Sequence, residues 1–403
     1  MRILVLSQYF WPESFIINDI VRELDEQGHE VVVATGKPNY PDGDIFDGYS
    51  ASGTQRERFE GRVEVVRVPL WPRGKGGARN LILNYLSFVF SGLLMLPWLL
   101  RGQKFDAILV FAPSPITQAI PAILLKWLKN ARLALWVQDL WPESLSATGF
   151  VRNRHALRAV GWMVKAIYRG CDMLLVQSRA FVDPVSRYAA KEKIHYYPNS
   201  MNVDPVRTAE DVGAEFKSLL EQHFCVVFAG NLGTAQALDT LVEAAVELRD
   251  DPQVRIVLVG SGSRMEWLKD RKQALELENL VLPGRFAMEA MPQIFERSSA
   301  LLVSLTDEEA FAQTIPSKIQ AYLAAGRPII AAMNGEGARV VCEAGAGLAS
   351  PAEQVAPLVV NIRRLKDLAE TEREAMGRAG RAYFDIHFEM RSQVARLVEL
   401  LER

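Results

Sequence analysis

Short, almost uninterrupted apolar runs recur along this chain, with hydrophobic residues spaced by three and four between them. In the first half the runs are "RILVLS" (2–7), "EVVVAT" (30–35), the alternating "VEVVRVP" (63–69), "AILVFA" (107–112), "LALWVQ" (133–138) and "MLLVQS" (173–178). Strands that are apolar on both faces and separated by helices belong to a parallel sheet covered on both sides. The pattern restarts after "YYPNSMNVDPV" (196–206), with "CVVFAG" (225–230), "RIVLVG" (255–260), "LVLPG" (280–284), "ALLVSL" (300–305) and "PIIAAM" (328–333). A chain of 403 residues has room for two such cores. The expected fold class is therefore α/β, with doubly wound parallel-sheet domains over 1–205 and 206–375 and a C-terminal helix over 376–403. Such sheets bind ligands beyond the carboxyl ends of their strands, and the cleft between two of them is the expected site.

The net charge of −2 gives no global basicity for nucleic acid. Cys171, Cys225 and Cys342 lie far apart without metal-ligand spacing and read as reduced thiols of a cytoplasmic protein. "MRILVLSQYF" is too short and too soon polar for a secretory signal. The five histidines show no pairing, and "YPDGD" (40–44) is first a turn, so no metal is expected.

Residues 81–100, "LILNYLSFVFSGLLMLPWLL", carry no charge over a length that can span a bilayer. Arg73, Lys75 and Arg79 precede the segment, and Arg101 and Lys104 follow it. A span would separate the first three strands from the rest. A buried helix is a second reading. The favoured one is a helix packed on its domain that dips one face, including Leu94 and Met95, into the membrane interface, with the cations at lipid headgroups.

Three glycine loops follow strands of the second domain: "AGNLGTAQ" (229–236), "GSGSR" (260–264) and "PGRF" (283–286). Gly230, Gly233, Gly260 and Gly262 allow close backbone approach, and Thr234 can cap a helix reaching Arg249. In "QTIPSKIQAYLAAG" (313–326), Pro316 suits a helix start and Gly326 its stop. Lys318 then falls at the positive end of the helix dipole, a place that suits an anion beside it. Together these features indicate a nucleotide or other phosphate. Neither G-x-x-x-x-G-K-[ST] nor G-x-G-x-x-G occurs at a strand–helix turn, which disfavours triphosphate hydrolysis and dinucleotide binding. In the first domain "FWPES" (10–14) and "DLWPES" (139–144) follow strands. Asp139 and Glu143 can act as a base or orient hydroxyls, or simply cap turns around Pro142. Glu13 can serve an acceptor or cap the first helix.

These residues together resemble a known family. "GHEVVVAT" (28–35), "YYPN" (196–199), "AGNLGTAQALDTLVEAA" (229–245), "VLVGSG" (257–262) and "IPSKIQAYLAAGRPII" (315–330) look like glycosyltransferase family 4. "KPNYPDGDIFDGY" (37–49) and "VQDLWPES" (137–144) look like its bacterial O-antigen, fucosaminyltransferase-like branch. The resemblance implies a GT-B fold, in which two Rossmann-like domains face across a cleft. It also implies retaining, metal-independent transfer from a UDP-sugar held mainly by the second domain. The acceptor, a saccharide on a polyprenyl diphosphate, would approach from the first domain, at the inner face of the cytoplasmic membrane.

In this reading Ser317 and Lys318, the loop residues Gly230, Asn231, Gly233, Gln236, Gly260 and Gly262, and Arg285 serve the nucleotide. Asp139, Glu143 and Lys318 are the candidate catalytic groups, and Glu13, Arg73, Lys75, Arg79, Leu94 and Met95 serve acceptor and membrane. Asn231 and Gln236 stand where the family often carries Arg and Lys. Gln313 and Ala321 stand where it usually carries two glutamates. Gln313 can still bond a sugar hydroxyl, whereas Ala321 cannot hold a ribose. A non-catalytic sugar-nucleotide binder and a GT-B epimerase are the alternatives.

Overall fold

The computed structural model describes all residues except 76, 148 and 204–211. The chain forms two compact units, Met1–Asn199 with Met390–Arg403, and Ser200–Glu389. The expected boundary at 205/206 falls outside the described residues. The expected terminal helix over 376–403 is divided, with its part up to Glu389 belonging to the second unit.

In the first unit the strands β1 (Arg2–Leu6), β2 (Glu30–Thr35), β3 (Gln55–Phe59), β4 (Val63–Arg67), β5 (Ala107–Ala112), β6 (Arg132–Val137), β7 (Met173–Val176) and β8 (Ile194–Tyr196) form one sheet. Its order is β3-β4-β2-β1-β5-β6-β7-β8. Every pairing is parallel except β3 with β4. The order reverses between β1 and β5, so the loops after these two strands diverge and leave a crevice. Helix α1 (Ile16–Glu26) buries Ile17, Ile20, Val21 and Leu24 on one face. Opposite it, α2 (Ala78–Leu99), α3 (Ala119–Lys129) and α4 (Arg154–Gly170) share a second core containing Phe88, Leu96, Leu125 and Val164.

The second unit holds β9 (Phe224–Asn231), β10 (Val254–Ser261), β11 (Leu280–Gly284), β12 (Ala300–Ser304), β13 (Ile329–Ala332) and β14 (Gly347–Ser350). They form a wholly parallel sheet in the order β11-β10-β9-β12-β13-β14. The expected helix from Thr234 starts later. Thr234–Gln236 is a single 3-10 turn, Ala237 is left-handed, and α5 runs Leu238–Glu247 without a side-chain cap. Helix α6 (Ser317–Ala325) has Pro316 at its N-cap and Gly326 in the left-handed conformation at its end.

The charged C-terminal stretch is two helices, α7 (Glu370–His387) and α8 (Met390–Glu402). The break has a physical cause. Phe388 is fully buried in the second unit, and its carbonyl accepts the Met201 amide at 2.8 Å, drawing the backbone away from the helical path. Helix α8 then closes the α1 side of the first core with Met390, Val394, Leu397 and Leu401.

Helix α2 is long and apolar enough to cross a membrane, yet β4 before it and β5 after it lie in one sheet. A crossing would tear that sheet. Asn84, Phe88, Ser91, Gly92 and Leu96 face the core, while Ile82, Leu86, Phe90, Leu94 and Trp98 are exposed. The outward residues recur every fourth position, a stripe that winds slowly round the helix.

Candidate functional site

Loops after β9, β10 and β12 converge at one end of the second sheet. The Leu232 amide donates to Ser261 O at 2.8 Å, Arg264 N to Leu232 O at 3.0 Å, and Thr306 N to Ala235 O at 3.0 Å. Gly230 and Gly260 face each other in the β9–β10 ladder, each with φ of +144°. A Cβ on Gly260 would stand 1.9 Å from Gly230 O, and one on Gly230 would stand 2.6 Å from Lys318 Cε. Glycine is therefore required where the Lys318 side chain crosses the strand end. Gly262 packs against the Leu232 backbone and Gly233 against the Asn231 amide group.

Lys318 lies in the first turn of α6. Its Nζ donates to Gln236 Oε1 at 2.6 Å and sits 3.7 Å from the centre of the Phe228 ring. No carboxylate among the described residues pairs with it, and burial pushes its pKa down to about 7. Ser317 beside it is exposed. The buried Tyr322 hydroxyl accepts the Ala229 amide at 2.9 Å, fixing α6 against β9. The lysine, the helix start and three backbone turns thus converge at one strand end in an arrangement suited to an anion.

Other expected donor residues are placed differently. Gln313 Nε2 donates to Glu309 Oε1 at 3.1 Å. Ala321 packs against the apolar core of the second unit. Arg285 is exposed at the end of β11.

In the first unit a polar cluster occupies the strand ends around the reversal point. Half-buried Tyr85 lies beside Tyr9, Arg73 and Ser114, and Asp139 beside Ser114 and Ser144. Trp141 Nε1 donates to Asp139 Oδ2 at 3.1 Å. Burial raises the Asp139 pKa, and these donors oppose the shift. Arg73 Nη1 donates to the Tyr9 hydroxyl at 2.9 Å. Its guanidinium lies 5.9 Å from the Tyr9 ring centre and 5.2 Å from that of Tyr40. Glu143 opens the short helix Glu143–Ala147 and pairs with Arg187 at 3.5 Å.

Glu13 is only 2% exposed. Its carboxylate accepts the Phe10, Asn39 and Tyr40 amides at 3.1, 2.8 and 2.8 Å, so it ties two loops together and does not cap α1, whose N-cap is Phe15. Burial pushes its pKa up to about 7 against those three donors. Lys75 and Arg79 are exposed before and at the start of α2. Leu94 is exposed, whereas Met95 is half-buried against the core. Among the described residues no group of three or more His, Cys, Asp or Glu is arranged to hold a metal ion.

Sequence reasoning missed Phe228, Tyr322, Tyr9, Tyr85 and Ser114. Phe228 sits inside an apolar strand run and Tyr322 on an apolar helix face, where the sequence pattern assigns both to core.

The description "Glycosyl transferase 4-like domain" matches residues 15–200, and "Glycosyl transferases group 1" matches 214–383. The chain belongs to glycosyltransferase family 4. A curated relative of this glycosyltransferase is WcaI of Escherichia coli K12, provisionally named as a colanic acid biosynthesis glycosyl transferase. It is 27% identical over 380 residues, covering 90% of this chain and 92% of WcaI. WbjE of Pseudomonas aeruginosa, named as a probable glycosyltransferase, is 24% identical over 333 residues, covering 78% of each chain. Among solved structures, Anabaena Alr3699/HepE in complex with UDP superposes with a TM-score of 0.67 at 14% identity, covering 100% of both chains. The two Rossmann-like units are those of a GT-B fold.

Proposed function

We propose that this glycosyltransferase moves a sugar, of the N-acetylated or deoxy amino class, from a UDP-sugar to a saccharide on a polyprenyl diphosphate. The observation that carries the reading is Lys318, a half-buried lysine at a helix start that lies across Gly230 and has no acidic partner among the described residues. Such a group answers the charge that develops on a departing diphosphate. The bond from the sugar C1 to the phosphate oxygen breaks as C1 bonds to the acceptor oxygen. The acceptor proton passes to the diphosphate, and the configuration at C1 is retained. This route demands no nucleophile of the protein and no metal. Asp139, held by the Trp141 indole and lying beside Ser114 and Ser144, orients the acceptor hydroxyl.

The donor class is supported by the UDP in the HepE structure, and the pathway class by the name of WcaI, which points to surface polysaccharide synthesis. O-antigen assembly is the finer reading. The outward stripe of α2 supports attachment to the inner face of the cytoplasmic membrane. Trp127 and Leu128 on α3 and Trp162 on α4 are exposed from helices packed on the same core. Arg79, Arg101, Lys104, Arg158 and Lys165 are exposed on or near the same helices, as an anionic headgroup layer requires.

The test is a UDP-sugar panel, scored by thermal shift and by UDP release with a lipid-linked saccharide. One sugar should both stabilise the protein and be transferred. UDP binding with no transfer across a broad acceptor set would favour a non-catalytic binder, and product formed without acceptor an epimerase.

A further inference from the structure

Two neighbouring features of the first unit have no assigned ligand atoms: an apolar groove beside α2 and the Arg73 guanidinium that follows one of its walls. The groove has a volume of about 530 Å³ and is lined by Pro69, Leu70, Trp71, Phe90, Leu94 and Met95 among others. Two of its hydroxyls are spent within the protein. Ser87 Oγ accepts the Trp71 amide at 2.7 Å and donates to Asn84 O at 2.9 Å, and Ser91 Oγ donates to Phe88 O at 3.2 Å. The walls select an apolar chain. Pro72 closes this lining, and the next residue is Arg73.

We propose that the groove takes the diphosphate-proximal end of an isoprenoid chain and that Arg73 takes the diphosphate. The proposal rests on the acceptor class given above and assigns that acceptor its place. Arg73 is half-buried, and no carboxylate among the described residues forms an ion pair with it. Its planar fork of donors suits two phosphate oxygens at once. The strap that carries it is fixed in advance. Asn84 Nδ2 donates to Trp71 O at 2.6 Å, Arg73 N to Asn39 Oδ1 at 3.2 Å, and Gly74 N to Gly43 O at 2.9 Å.

Arg73 Nη1 is bonded to the Tyr9 hydroxyl at 2.9 Å, and Tyr85 lies within electrostatic reach of both Arg73 and Asp139, so the strap adjoins the polar cluster. A sugar attached to the bound diphosphate would therefore lie along the polar cluster, with its chain leading away beside α2. A groove of this size suits a compact ligand segment and not a whole carrier lipid. The rest of the chain would continue into the bilayer that the outward stripe meets.

The test uses the full chain in detergent micelles with a benzophenone-bearing farnesyl diphosphate as photoprobe. Cross-links should map to peptides containing Trp71, Phe90 or Met95, and farnesyl diphosphate should compete far better than farnesol or inorganic diphosphate. Trp71→Ala and Arg73→Gln should each raise the half-saturating probe concentration tenfold or more. Trp71 is exposed, so its loss leaves the core intact. Labelling elsewhere, labelling unchanged in both variants, or competition by phosphatidate equal to that of farnesyl diphosphate would overturn the site. The parent reading fails separately. Correct labelling without transfer to any lipid-linked saccharide removes the acceptor class and leaves the site. Transfer with unchanged acceptor KM in both variants removes the site and leaves the acceptor class.

Discussion

The ammonium of Lys318 rests 3.7 Å from the centre of the Phe228 ring, facing an aromatic surface where a carboxylate would ordinarily stand. An aromatic face attracts a cation without neutralising it. Desolvation meanwhile lowers its pKa to about 7, so the amine is only partly protonated near neutral pH and gains charge when an anion binds beside it.

UDP binding should accordingly carry a proton with it. A bound diphosphate favours the charged ammonium and raises its pKa above about 7, so in the pH window between that value and the higher pKa of the complex binding takes up a proton. Affinity should be greatest below pH 7 and weaken as pH rises, by up to about tenfold per pH unit. Calorimetry at pH 8 in buffers of different ionisation enthalpy should report uptake of close to one proton. Lys318→Ala should abolish that uptake, weaken UDP by roughly 10- to 100-fold and cut kcat/KM further. An unchanged UDP affinity in the variant would take the lysine out of the phosphate site.

Gly230→Ala tests the same geometry from the strand side. The added methyl would stand 2.6 Å from Lys318 Cε at a φ of +144°, so the lysine must leave its path over the strand end. The donor KM should rise about tenfold or more, with a loss of roughly 1–3 kcal/mol in stability. Steady-state kinetics and denaturant unfolding measure the two effects. A variant that is destabilised but keeps its donor KM would show that the close approach serves packing alone.

Asp139→Asn should leave UDP affinity in place and lower kcat by about 100-fold, since the amide keeps the shape but loses the negative charge that orients the acceptor hydroxyl. Burial raises the Asp139 pKa, so the carboxylate is lost as pH falls through a value above the ordinary aspartate range. The acid limb of the kcat profile should sit correspondingly high in the wild type and vanish in the variant. An identical acid limb in both proteins would assign it elsewhere.

Much of this was legible in the sequence. Both parallel sheets follow from apolar runs at helical separations, and α6 from Pro316 and Gly326. Three strands were not. β3 reads "QRERF", whose charges hide a strand. The structure gives the reason: Glu57 pairs with the fully buried Arg67 at the end of β4, so a charge that reads as solvent-facing is spent inside. β8 and β14 are three and four residues long, too short for a period to show. At the candidate site, glycines and Lys318 stand out by type. Phe228 and Tyr9 do not, because an aromatic residue in an apolar run carries no mark of facing a cation. Glu13 was visible as an acid after a strand, but its three amide partners come from residues up to 27 positions away.

The α2 stripe makes a partition prediction. Each large apolar side chain moved from water into lipid contributes roughly 1.5–3 kcal/mol. Leu86→Glu with Leu94→Glu should lower binding to anionic vesicles by about 100-fold or more while leaving UDP affinity unchanged. Both residues are exposed, so the fold should survive. Sedimentation with vesicles, checked by circular dichroism, decides it, and retention on the vesicles would assign the stripe another role.

Helix α8 carries a consequence for how this protein comes into being. Its residues finish the core begun by β1 and α1, yet they are made only after the whole second unit. The opening half of the chain must therefore wait, one hydrophobic flank uncovered, while the entire second unit is synthesised and can already fold. Completion of the first core is thereby tied to synthesis of the second unit, and a chain cut before Met390 would hold every strand of both sheets yet leave the α1 flank of the first core bare.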